Sequence, residues 1–284
     1  MRSGPGNSAR LSPAHIGPAH IGPARVGAGV LHAEWTKLRT VPSTAWLVVG
    51  IVGLTAVAGA LADAAAKCPA SGCGLDPARV SLTGTYLGQA VVAILAVVAI
   101  SDEYGTGMIR TTLAAVPRRG AMLAAKAANV SAVVLLAGAA AVLASWLAGW
   151  LILPGHGFTA AAGYASLSLT DGPMLRAVAG TVLYLALVGL LSLGIATAVR
   201  EPAAAIGSVL GLLYVVPIIA AVVGSPSWHR HLEQFAPMTA GLAIQDTTGL
   251  AAAPISPWAG LGVLAGWAAA GLLAGSVALT RRDA

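Results

Sequence analysis

The sequence predicts an all-α integral membrane protein with six transmembrane helices, and three observations carry that prediction. Hydrophobic residues make up 57% of the 284 residues and charged ones 9%, with a mean hydropathy of +0.82. That is too little polar surface to cover a water-soluble globule of this size. The apolar residues gather in charge-free runs of about 20, the length at which a helix crosses a hydrocarbon core of about 30 Å. The runs consist of Ala, Leu, Val and Gly without period-two polar alternation, so their backbone hydrogen bonds close within helices and not in a barrel.

The elements follow in chain order. Residues 1–28 contain "PAHIGPAHIGPARVG", whose recurrent Pro and Gly cannot sustain a helix, and no apolar core of a signal peptide is present. They read as a disordered cytoplasmic tail, and His15 and His20 as solvated side chains. Residues 29–284 form the membrane domain. From Gly29 to Thr40, Leu31, Trp35 and Leu38 fall at i, i+4 and i+7, and Val41-Pro42 ends the pattern. The spacing fits an amphipathic helix in the inner membrane interface, or a simple basic anchor beside the first span.

The six spans are expected near Ala45–Ala62, Thr85–Ser101, Ala127–Leu153, Ala177–Val199, Ala203–Gly224 and Trp258–Ala278. An even number puts both termini on one side, which then holds 12 of the 16 Lys and Arg residues. Positive charge concentrates on the cytoplasmic side, so both termini are expected there, and the net charge of +6 is accounted for by topology and anionic headgroups, with no nucleic acid as partner.

The loops carry further signals. Cys68 and Cys73 in "CPASGC" face the oxidising side, and their spacing permits a disulfide. Residues 225–257 are the longest outer segment; their "FAPMTAGLAI" stretch is too short to span and apolar enough to enter the headgroup layer or bury against helix ends. His229 and His231 there read as solvated side chains rather than metal ligands. Gly207 and Gly211, Gly262 and Gly266, and Gly271 and Gly275 sit at the spacing that lets helices approach closely, within the chain or across a dimer face. Pro217 should kink the fifth span. Trp46, Trp146, Trp150 and Trp258 read as interfacial anchors, and mid-span Trp267 as core packing.

What the spans omit restricts function. Their central turns contain no Asp, Glu, Lys, Arg or His, the groups with which ion-coupled carriers bind a driving ion; Gln89 and Asn129 read as structural hydrogen-bonding residues near span ends. Phosphate-loop, metalloprotease and nucleophile-base signatures are missing too. No catalytic, cofactor or metal site is expected in this chain.

One feature does not fit a passive bundle. "SDEYGTGMIRTTLAAVPRRGAMLAAK", residues 101–126, concentrates charge between the second and third spans. Thr106 can cap a short helix on which Ile109, Leu113 and Val116 align, and Pro117 stops it before Arg118 and Arg119. On spacing alone this is a docked amphipathic helix or a positive-inside loop held to headgroups.

Together with "AEWTKLRT" before the first span, this passage resembles the membrane permease subunit of the ABC type-2 transporter family, bacterial branch. The likeness lies in an acidic residue, a Gly-Thr element, a short apolar helix, Pro followed by Arg, and a Lys entering the third span: Glu103, Gly105, Thr106, Pro117, Arg118, Arg119 and Lys126. It covers roughly Val30 to Ala284. The resemblance implies a six-helix half-transporter in the bacterial plasma membrane, working with a second permease copy and a separate cytosolic ATPase that holds ATP and Mg. It makes residues 102–126 the ATPase-coupling loop, with Glu103 and Arg110 as polar contacts, Ile109 and Leu113 as buried ones, and the "VREP" turn at 199–202 nearby. The expected function is export of a hydrophobic or amphipathic compound such as a drug, peptide or lipid-linked molecule. A non-transporting membrane sensor or assembly factor that binds a cytosolic partner is the alternative.

Overall fold

The computed structural model describes residues 35–36, 41–69, 73–105, 119–222 and 226–282. Six of its helices are long and apolar enough to cross a membrane, and no strand occurs among the described residues. They are α1 (Pro42–Ala65), α3 (Thr85–Gly105), α4 (Arg119–Ile152), α5 (Gly172–Val199), α6 (Pro202–Leu210, continued through Val222) and α9 (Pro257–Arg282); α2 (Pro77–Ser81), α7 (Pro226–Phe235) and α8 (Pro237–Leu242) are short. Proline is the first residue of six of the nine and the second of α5, where its fixed φ suits the first turn and its missing N–H leaves no intrahelical bond unmade.

Helix α5 occupies the centre: 61% of its apolar window is buried, against 17% for α1, 17% for α6 and 22% for α9. It packs on α3, α4, α6 and α9. Its closest approach is to α9, where a Cβ on Gly194 would stand 2.3 Å from the Gly271 carbonyl carbon and one on Gly275 would stand 2.8 Å from Gly194 O. The Gly271 and Gly275 pair therefore serves packing within the chain, whereas a Cβ on Gly207, Gly211, Gly262 or Gly266 would meet nothing within 4 Å.

Several boundaries differ from expectation. Helix α4 starts at Arg119, two turns before Ala127, because Met122, Leu123, Ala125 and Lys126 are buried against the bundle despite the charges around them. At 34 residues it is about 50 Å long, longer than the hydrocarbon core, so its first turns project beyond it. Pro217 is accommodated by a π-helical turn at Gly211–Val215, directly before Val216–Val222; a wider turn absorbs the hydrogen bond that proline cannot donate.

Helices α7 and α8 and a 3₁₀ turn at Ala243–Gln245 fold back into the bundle, with Ala236–Met238 and Ala240–Gln245 buried. Trp267 Nε1 donates to Phe235 O at 2.9 Å. Trp267 lies ten residues into α9, so the end of α7 sits about 15 Å below the start of that helix. Trp267 is thus not a core residue: it is 40% exposed, and its indole satisfies a carbonyl at the end of α7. Trp46, Trp150 and Trp258 are exposed, and Trp146 donates to Leu167 O at 2.8 Å.

Candidate functional site at the charged end of the bundle

Helices α3, α4, α5 and α9 bring one terminus each to the end of the bundle that bears residues 101–126. Three ties brace it. Lys126, 4% exposed, donates from Nζ to Ala99 O of α3 at 2.9 Å. Arg200 closes α5 in a left-handed conformation at φ 69°, which costs a side-chain-bearing residue of order 1 kcal/mol. Its guanidinium stands 5.5 Å from the centre of the Tyr104 ring and donates to Ala278 O at 3.1 Å, so one side chain joins the α5–α6 turn to α3 and α9. Glu201 caps α6 by accepting from Ala203 N and Ala204 N. The strained turn at 199–202 is thereby locked to the helices that flank the charged segment.

The predicted contact residues fall unevenly on this frame. Glu103 and Gly105 lie in the last turn of α3, so the helix runs beyond Ser101, where the second span was expected to end. Arg119 is the first residue of α4. Thr106, Ile109, Arg110, Leu113, Pro117 and Arg118 lie outside the described residues, as do residues 1–28 and most of the entry segment, of which residues 35–36 are helical. At the opposite end Cys68 and Cys73 form a disulfide with Cα atoms 5.4 Å apart. The Tyr164 hydroxyl lies 2.7 Å and 3.2 Å from the two sulfurs. Cys68 N donates to His156 O, and a Cβ on Gly157, at φ 97°, would stand 2.3 Å from Cys68 O; glycine is required there by conformation and by space.

Sequence reasoning missed a clasp at that opposite end. Asp76 caps α2 and also accepts from the backbone and hydroxyls of Thr247 and Thr248. Arg79 pairs with Asp246 at 2.9 Å, and Arg176 donates to Asp246 O. Burial pushes the Asp246 carboxyl up from its usual value, more than Arg79 beside it pulls it down. Partial burial pulls Arg79 down, but Asp246, Tyr86 and Asp76 together outweigh that and leave the guanidinium firmly charged. A cleft of about 390 Å³ opens alongside, lined by Pro77, Leu167, Asp171, Met174 and Thr247.

Gln89 and Asn129 are both buried. Gln89 accepts from the Tyr184 hydroxyl and donates to Met238 Sδ at 3.3 Å, and Gln245 donates to Thr85 and Thr181. This network seats the re-entrant segment on α3 and α5. Its members are single polar residues in apolar runs, so their partners were not readable from spacing. Among the described residues no group of three His, Cys, Asp or Glu is placed to hold a metal ion. No protein-family model matches this chain, and no curated protein matches it.

Proposed function

We propose that this chain is the permease subunit of an ATP-binding cassette exporter, its translocation path serving a hydrophobic or amphipathic substrate and its energy supplied by a separate ATPase subunit. The observation that supports the reading is the braced rim at the charged end. Helices α3 and α4, which flank residues 106–118, are tied to each other through Lys126 and Ala99 and to the α5–α6 turn and α9 through Arg200. A push on the intervening segment would pass into α5, the helix on which four others pack, and rigid helices repack in discrete steps rather than bend. The central turns of the six spans carry no Asp, Glu, Lys, Arg or His, so the membrane part has no group at mid-depth with which to bind a coupling ion. On this reading both termini and residues 102–126 are cytoplasmic, and the sequence likeness at Glu103, Gly105, Thr106, Pro117, Arg118 and Arg119 marks the contact.

Purification of the tagged chain from its native membrane tests this. The exporter reading expects a stoichiometric cytosolic subunit that hydrolyses ATP. A co-purifying kinase or regulator without ATPase turnover would instead identify a sensor, and the proposal would fall.

A further inference from the structure

Of the 24 residues of α1, only Ile51, Thr55, Gly59 and Asp63 are buried, one ridge at every fourth position. The ridge meets the smallest groups its neighbours offer. A Cβ on Gly84 would stand 1.9 Å from Thr55 O, one on Gly59 2.0 Å from Ser145 Oγ, and one on Gly149 2.3 Å from Ser81 Cβ and 3.3 Å from Asp63 Oδ2. Asp63 ends this seam, fully buried between α1, α2 and α4, and neither of its carboxylate oxygens has a hydrogen-bond partner.

The surroundings cannot satisfy a carboxylate. Ser145 Oγ already donates to Ser81 O at 2.7 Å, and Ser81 Oγ to Ala78 O at 2.9 Å, so both nearby hydroxyl protons are engaged. On α2 and its cap, Arg79 is paired with Asp246, and Asp76 holds Thr247 and Thr248. The facing turns of α4, from Ser145 to Ile152, carry no titratable group, and α3 opens with only Tyr86. His156 Nδ1 lies 3.0 Å from Ala66 O, and Lys67 is exposed beyond the helix end. A buried carboxylate without donor or cation is far costlier than the neutral acid, which needs only an acceptor. We propose that Asp63 is a proton-binding site, filled while the seam between α1, α2 and α4 is closed, and that emptying it opens the seam. A proton that binds only the closed form holds the equilibrium there, and its loss releases it.

The proposal is independent of the exporter reading and is tested on the full chain in lipid vesicles. Infrared spectroscopy at neutral pH should show the carbonyl stretch of a protonated carboxylic acid that disappears in Asp63→Asn and is lost from the native chain as pH rises. The chain has two cysteines, bridged to each other, so Ser145→Cys introduces a unique free thiol in the seam. Its maleimide labelling, measured relative to Leu250→Cys on the exposed loop, should rise with the midpoint at which the acid band is lost. An ionised Asp63 at neutral pH would overturn the proposal. So would a labelling ratio for the Ser145→Cys thiol that stays flat across the titration, a result that needs no Asp63 variant to fold.

Discussion

Gly194→Ala probes the contact on which the central helix depends. The added Cβ would stand 2.3 Å from Gly271 C and 2.5 Å from Leu272 N, whereas carbon atoms rest at about 3.5–4.0 Å. The obstacle is helix backbone, so no side chain can swing aside, and α5 and α9 must part by about 1 Å or more. Overpacking of this kind costs about 1–3 kcal/mol, while alanine gains at most about 1 kcal/mol over glycine in helix propensity. The net expectation is a loss of about 1–2 kcal/mol. Gly266→Ala is the matched control, because a Cβ there meets nothing within 4 Å; it should leave stability unchanged or raise it by up to about 1 kcal/mol. Thermal unfolding in detergent, followed by circular dichroism, separates the two. Equal midpoints for Gly194→Ala and the native chain, or a larger loss for Gly266→Ala, would refute the packing argument.

Three further outcomes are expected. Because burial raises Asp246 in the folded state, this carboxyl contributes stability at pH values below its unfolded pKa of about 3.9 and loses it as pH rises through the folded value. Asp246→Asn should therefore flatten the acidic limb of the stability profile, and its pairing with half-exposed Arg79 adds only about 0–1 kcal/mol to be lost; unfolding midpoints measured across pH show whether the limb flattens. Reducing the Cys68–Cys73 bridge, which closes a loop of sequence separation 5, should lower stability by about 2 kcal/mol while leaving membrane insertion intact, as read by unfolding with and without reductant. Trp267→Phe removes the donor to Phe235 O and should cost about 1–3 kcal/mol, seen as faster proteolysis within residues 226–256.

The six spans were legible because hydrophobic length is a property of consecutive residues, and each expected span overlaps one observed helix. Their ends were less so. A hydropathy window rejects the charged stretch 119–126, yet Lys126 buries its stem and delivers its ammonium to Ala99 O, a contact that spans 27 positions in sequence and leaves no local trace. Asp63 was excluded from the first span for the same reason, although its place on a stripe with Ile51, Thr55 and Gly59 was available to be read. The glycine pairs show the complementary limit. Spacing marks Gly262 and Gly266 as strongly as Gly271 and Gly275, but only the second pair finds Gly194 and Thr197 opposite it. At the candidate site, spacing and likeness mark Glu103 to Arg119, while the brace formed by Arg200 depends on a left-handed turn that arginine rarely adopts and no propensity would assign.

If work enters through residues 102–126, the apolar face of that segment is where a substitution should uncouple the protein. Ile109→Asp with Leu113→Asp places two charges where a buried contact is proposed and leaves the spans untouched. The variant should insert and fold like the native chain but purify without the ATP-hydrolysing subunit. Undiminished ATPase association in a correctly inserted variant would contradict this route of coupling.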